Sequence, residues 1–404
     1  MCCPFASDCK TFILDILSIF GAMKIVVLGG SGEMGRVIVT DLAETFDGTI
    51  VVAGRDSKKA KSFAGSFGKK NVKSEEIDIN DISALGASIE NADSVINATN
   101  YYANLNVMNA ALEAGIDYVD LGGLYHMTKK QLKLDGAFRK RGLTAIIGCG
   151  SAPGITNVMA AHITGFMERV ESLHIQFAGR DYTHYSMPFV LPYSMRTLFD
   201  EFSKKPAIFK NGKFRYVEPV SDEVKVKFPS PVSEACCFYT LHSELATLPA
   251  WLKKKGIHNC SFRGGFDPDL VSKTKFLIEA GFADEKPVKV LNAEIAPRDL
   301  SVALLNKFMP YRAKVNDVEF LRVEATGFSN GRRRKMIAYC KSVSNKKHNI
   351  PAGSWDTGVP ASIAGQMLAH GKISEKGVMA PESCINPRDF FAELAKRNID
   401  IIVR

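Results

Sequence analysis

Among the nine cysteines of this 404-residue chain no two stand in a C-x-x-C pair, and none shares metal-ligand spacing with a histidine. That argues against a structural zinc and against a disulfide scaffold, so no metal is expected. Cys2, Cys3 and Cys9 crowd the first ten residues, while Cys149, Cys236, Cys237, Cys260, Cys340 and Cys384 lie scattered. The pattern fits a reduced, cytoplasmic setting. A membrane span is lacking in the leader too, because its apolar run at residues 11–22 is twelve residues long and broken by Asp15. With only Lys10 ahead of it, that run also lacks the basic start of a signal peptide, and residues 1–22 read as an extension before a start at Met23. No basic arm is present. The net charge of +9 is dispersed, and its tightest cluster, Arg332-Arg333-Arg334-Lys335, follows the turn signal Ser329-Asn330-Gly331. It reads as a hairpin flank, and nucleic acid is not an expected partner. No repeat or low-complexity segment stands out. What remains, 46% apolar and 24% charged, is the composition of a globular protein long enough for two domains.

The stretch MKIVVLGGSGEMGRVIVTDLAE, from Met23, sets an apolar strand, a glycine turn and apolar residues at helical spacing in that order. Gly30-Ser31-Gly32-Glu33-Met34-Gly35 fits G-x-G-x-x-G. In a dinucleotide site the first glycine makes the tight turn, the second admits a pyrophosphate and the third lets helix pack on strand. The helix N-terminus adds free N–H groups and a positive dipole end. Further strands are predicted at residues 49–53, 76–79, 94–98, 118–121 and 144–147, with helices near 104–114 and 128–141. Apolar strands alternating with helices imply an α/β, doubly wound parallel sheet with its ligand crevice beyond the carboxyl ends of the strands.

Those ends are small or polar: Gly54-Arg55-Asp56, Asn97-Ala98-Thr99-Asn100-Tyr101-Tyr102, Asp120-Leu121-Gly122-Gly123, and residues 148–154 with Pro153. Cofactor contacts are expected from the glycine turn, Arg55, Asp56, Asn97, Ala98, Thr99, Gly122 and Pro153. Arg55 lies 20 residues after Gly35, where an NAD site usually offers a carboxylate to the ribose. A guanidinium there suits a 2′-phosphate, which favours NADP, while Asp56 keeps NAD open. From about residue 155 period-two alternation at 172–177 and 318–323 points to a second, mixed α/β (α+β) domain. Residues 360–370 read as a helix with little polar surface, which should be buried. The expected layout is a dinucleotide domain at 23–152, a substrate and dimerisation domain at 153–352, and a helical segment at 353–404 returning to the first domain.

The segments VINATNYYANLNVMNAALEAGIDYVDLGG (95–123), GSAPGITNVMAAH (150–162), SFRGGFDPDL (261–270) and GQMLAHGKISEKGVMAPE (365–382) resemble the saccharopine dehydrogenase family. Its saccharopine reductase and lysine 6-dehydrogenase branches are the nearest in pattern. The resemblance implies a Rossmann domain, a second domain carrying substrate and a homodimer interface, and NAD(P)-dependent hydride transfer at a carbon bearing nitrogen. It also implies residue roles. Arg263 matches an arginine that holds a substrate carboxylate, with Arg196 a second candidate. Asp120 matches a position facing the substrate, and could instead cap the next helix. Tyr101 and Tyr102 would lie at the nicotinamide end, one lining the pocket. His242 matches a histidine-bearing segment and is a candidate acid/base, unless it is a hydrogen-bonded structural histidine. Asp120, His242 and Tyr101 form the expected catalytic set.

One departure divides the branches. Ala152-Pro153-Gly154 stands where saccharopine reductases carry Asp-Pro-Gly and is more like the lysine 6-dehydrogenases, whereas Arg55 is more like the NADP-using reductases. The expectation is an oxidoreductase acting on saccharopine or lysine. Carboxynorspermidine-type reduction is an alternative, and a non-catalytic NADP-binding sensor or scaffold is an alternative of another class.

Overall fold

The computed structural model describes residues 23–185, 190–306 and 313–404, and the extension expected at 1–22 lies outside them. Strands β1 (Lys24–Leu28), β2 (Thr49–Gly54), β3 (Val72–Glu76), β4 (Ser94–Asn97), β5 (Asp117–Asp120) and β6 (Thr144–Ile146) alternate with helices. A second group comprises β7 (Arg169–Asp181), β8 (Ala207–Lys210), β9 (Lys213–Tyr216), β10 (Ser221–Lys227), β11 (Glu234–Tyr239) and β12 (Asn259–Gly265). After the small hairpin of β13 (Val288–Val290) and β14 (Ala293–Ile295) come β15 (Asp317–Ser329), β16 (Arg332–Val343), β17 (Gly377–Met379) and β18 (Asp400–Val403).

The first sheet has the order β17-β6-β5-β4-β1-β2-β3, and every pair in it is parallel. It is the doubly wound sheet expected, with the strand order reversing at β1. Two local readings differ. The third strand lies at Val72–Glu76 rather than 76–79, because an edge strand needs few apolar residues and this one exposes most of its side chains. The helix expected at 128–141 is two helices, Leu124–Gln131 and Asp135–Lys140.

The second sheet runs β10-β11-β12-β7-β15-β16-β18, with β8 and β9 attached at β12. It is mixed, since β12 pairs with β7 in parallel while β7 pairs with β15 antiparallel. Asn330 and Gly331 both take positive φ and close the two-residue hairpin between β15 and β16, so the basic cluster is strand, as the turn signal implied. Strand alternation gives this sheet two unlike faces. Leu173, Ile175, Cys260, Phe262, Leu321 and Val323 join the apolar core of the first sheet and its Glu33–Thr45 helix.

Between the two sheets lies the 18-residue helix Ala352–Ala369. It begins eight residues before the predicted start, since Pro360 sits inside the helix and not at its first turn. Proline removes one backbone bond and crowds the preceding turn; burial on nearly every side outweighs that cost here. Glycines permit the closeness. A Cβ on Gly358 would stand 2.6 Å from Val37 Cγ1, and one on Gly365 2.6 Å from Ile96 Cδ1. A buried ion pair closes the packing. Arg397 donates through Nε to Asp41 Oδ1 (2.8 Å) and through Nη2 to Oδ2 (3.2 Å), and Ser362 donates to the same carboxylate (2.7 Å). The chain after residue 352 thus supplies the central helix, β17 of one sheet and β18 of the other.

Removing one partner of a buried pair leaves an uncompensated charge. Arg397→Met is expected to lower the unfolding free energy by about 3–5 kcal/mol in urea denaturation. A loss under about 1 kcal/mol would show that the pair does not hold the C-terminal segment.

Candidate functional site

The glycine turn is built for close approach. Gly32 caps the Glu33–Thr45 helix without any side-chain bond, which leaves first-turn N–H groups facing outward. Gly35 lies so near the turn that a Cβ there would be 2.1 Å from Gly29 O. Backbone N–H groups at a helix N-terminus, with no side chain in the way, fit a dinucleotide pyrophosphate. Ser31, Glu33 and Met34 complete that turn. At the end of β2, Asp56 uses its carboxylate on Lys59 N (2.9 Å) as the cap of the next helix, while Arg55 is exposed and carries no bond among the described residues. The free group there is therefore cationic.

Asn97, Ala98, Thr99, Gly122 and Pro153 do end the neighbouring strands. Asn97 is buried and tied to Asn104, Tyr118 and Thr99, so it shapes the loop. Pro153 packs between the loops of Gly122 and Gly148.

Asp120 needs correction as a catalytic or amine-binding residue. It is 1% exposed, and its two oxygens accept from Gly122 N, Gly148 N, Asn104, Tyr118 and Gln131. Five donors leave it no lone pair for a substrate. It locks the loops after β5 and β6 together.

Tyr101 and Tyr102 stand at the end of β4 with ring centroids 4.2 Å apart, and both hydroxyls donate to one oxygen of Asp200. The other oxygen takes Lys204 (2.8 Å) and Arg298 (2.7 Å). Burial opposes the charge of Asp200, yet these donors outweigh it and hold the carboxylate below its ordinary range. The tyrosines thus clasp the Met195–Ser203 helix to the first domain. Neither Asp200 nor Arg298 was found in the sequence.

His242 is buried on the core side of the second sheet, its ring 3.5 Å from that of Phe262. Nδ1 is 3.3 Å from Glu244 Oε2 and Nε2 is 3.8 Å from Glu201 Oε1, but no well-aligned hydrogen bond forms at Nδ1. Burial alone would depress the imidazole; Glu244 and Glu201 outweigh it and raise it above its ordinary value. Glu201 accepts from Tyr193 (2.5 Å) and Glu244 from Thr156 (3.0 Å), while Glu382 accepts from Asn157 (2.8 Å).

A second acidic group adjoins it. Asp317 accepts from Ala352 N at the start of the central helix (3.0 Å). Glu319 lies against Gly353, where a Cβ would stand 2.7 Å from its carboxylate, and Asp356 follows one turn on. Burial raises both Glu319 and Asp356, and the charge of Asp317 adds to this. Thr357, the next residue, touches Gly150 in the loop after β6. The signal that could have located Asp356 is its place as the single charged residue in an otherwise uncharged helix.

Both predicted carboxylate anchors are paired with side chains of the chain itself. Alternation along β12 turns Arg263 to the opposite face from Phe262 and His242. There it pairs with Asp222 (2.5 Å) and lies over Tyr239. Arg196 pairs with Asp299.

Residues 25–146 match the saccharopine dehydrogenase NADP binding domain, and residues 150–400 match the saccharopine dehydrogenase C-terminal domain. The chain belongs to the saccharopine dehydrogenase family. It is an NAD(P)-dependent oxidoreductase of that family, with an NADP-binding first domain. It is 23% identical to carboxyaminopropylagmatine dehydrogenase of Synechocystis sp., over 93% of this chain and 96% of that one. It is 22% identical to carboxynorspermidine synthase of Vibrio alginolyticus, over 92% and 94% respectively. Saccharopine dehydrogenase (L-Glu forming) of Saccharomyces cerevisiae shares the fold with a TM-score of 0.74 at 18% identity, covering 95% of this chain and 99% of that one.

The fully buried Glu201 gives a pH test. Burial raises its carboxyl from 4.5 to about 7, so the folded protein holds this proton more tightly than the unfolded chain. Its contribution to stability is complete below the lower value and is lost as pH rises through the upper one. Glu201→Gln cannot titrate, so its Tm relative to wild type should climb between about pH 5 and 8. A pH-independent difference would show that Glu201 is charged throughout.

Proposed function

We propose that the chain is an NADP(H)-dependent oxidoreductase that forms or breaks the C–N bond of a carboxylated polyamine, of the carboxynorspermidine or carboxyaminopropylagmatine kind. The observation that carries this reading is the number of acidic side chains gathered in the interior. The buried Glu201, Glu244, Asp356 and Glu382 and the half-buried Glu319 suit a cationic chain, whereas Arg263 and Arg196, the expected carboxylate anchors, are paired elsewhere. The relatives matched along more than 90% of this chain bear polyamine names. Hydride transfer on saccharopine is the second reading, favoured by 28% identity to the yeast enzyme over 137 residues.

The glycine turn and Arg55 would hold NADP, which supplies or accepts the hydride. The protein has little covalent work. It must align the amine-bearing carbon, keep water out and stabilise positive charge on the imine nitrogen. The carboxylates do the last of these by Coulomb attraction in a site of low dielectric. In the reductive direction the amine nitrogen attacks a carbonyl carbon, water leaves and a protonated imine forms. Hydride then adds to the imine carbon and leaves a secondary amine. His242, between two carboxylates, is positioned to hold and pass the proton.

Two measurements test this. NADP⁺ reduction with carboxynorspermidine, carboxyaminopropylagmatine and saccharopine should show turnover with a polyamine compound. Arg55→Asp should weaken NADPH binding by about 1–3 kcal/mol, the scale of a charge-assisted contact, and NADH far less. Equal weakening of both cofactors would remove Arg55 from the 2′-phosphate, and absence of turnover with all three compounds would favour a non-catalytic NADP-binding protein.

A further inference from the structure

Asp356 is 0% exposed, and neither of its oxygens has a hydrogen-bond partner among the described residues. A buried carboxyl in that condition is costly unless something completes it. A neutral side chain repeats the pattern. Ser151, 7% exposed in the loop after β6, faces Glu319 and Asp356 closely enough to draw both carboxyls down, yet its hydroxyl makes no well-formed hydrogen bond. Among the described residues no group of three or more His, Cys, Asp or Glu is arranged to hold a metal ion, so a metal does not account for the cluster. No lysine or arginine pairs with Glu319 or Asp356 among the described residues either. Unpartnered carboxyl and hydroxyl oxygens suit a donor that brings positive charge and several N–H groups.

We propose that Asp356 and Glu319, with the Ser151 hydroxyl, seat the cationic end group of the substrate, an alkylammonium or guanidinium with no carboxylate beside it. This rests on the polyamine reading and adds to it the part of the site that selects the substrate. His242 and its two glutamates form a separate group, joined to this one through Tyr193, which donates to Glu201 and lies within the field of Glu319. One acidic group thus serves the far end of the substrate and the other lies nearer the reacting nitrogen. Saccharopine carries carboxylates at both ends, which these two acids would repel; carboxynorspermidine ends in an ammonium and carboxyaminopropylagmatine in a guanidinium.

The test uses the full chain loaded with NADP⁺, titrated calorimetrically with norspermidine, agmatine and saccharopine, for wild type, Asp356→Asn and Glu319→Gln. Wild type should bind norspermidine or agmatine, whichever cation fits, and not saccharopine. Each variant should weaken that binding by about 30-fold or more, the scale for losing one side of a buried charged contact. NADP⁺ affinity should be unchanged. Removing a charge from a like-charged cluster should leave the ligand-free Tm unchanged or raise it, so a fall in both variants would assign the carboxyls a structural role and overturn the proposal. It is also overturned if wild type binds neither amine, if the variants bind as wild type does, or if saccharopine alone binds. Amine binding without turnover of any compound would keep the seat and remove the enzymatic reading, so the two failures are distinct.

Discussion

The bond between Asp41 and Arg397 is the contact on which the arrangement of this molecule depends. Asp41 belongs to the first helix after the glycine turn, and Arg397 to the last turn of chain before the final strand. Between them the Ala352–Ala369 helix is held with almost no surface left to water. Ser362 on that helix donates to Asp41, and Trp355 donates through its indole N–H to the Arg397 carbonyl (3.0 Å). The ion pair therefore orients the helix as well as closing the chain. Orientation matters because Asp356 and Thr357 lie on the turn that meets the loop after β6. A rotation of the helix would carry the carboxylate away from Ser151.

Much of the first domain was legible because its signals are local. Turn, strand and helix follow one another within residues 24–45, and each later strand of the first sheet ends in small or polar residues. The Asn330-Gly331 hairpin was legible for the same reason. Local signals misled where packing overrides them. Pro360 reads as a helix start, yet the helix runs through it because it is buried along nearly its whole length. The third strand, expected at 76–79, lies at Val72–Glu76, where it pairs with β2 along its whole length.

The substrate side was hidden by distance along the chain. Asp120 was assigned a chemical role because it matches a family position facing the substrate, but its donors come from residues 104, 118, 122, 131 and 148. Their convergence on one carboxylate cannot be seen in any window. Arg263 lies one step of strand alternation from Phe262: Phe262 packs into the core against His242, so its neighbour turns the other way, to Asp222. The acidic side chains of the interior come from residues 201, 244, 319, 356 and 382, on separate elements. His242 was legible as a residue, and its setting between Glu201 and Glu244 was not.

Net charge gave no hint of this interior either. The chain carries a formal charge of +9, which taken alone suggests an anionic partner. Its cations are mostly solvated, and at physiological salt their fields fade over about 8 Å. The buried carboxylates are screened far less. They act in a low dielectric where a charge a few ångströms away is worth several times its value in water. A cationic substrate would therefore meet weak repulsion outside and strong attraction within. On the polyamine reading, the ligand is selected by the few acidic groups that water does not reach, whatever the sum over the whole chain.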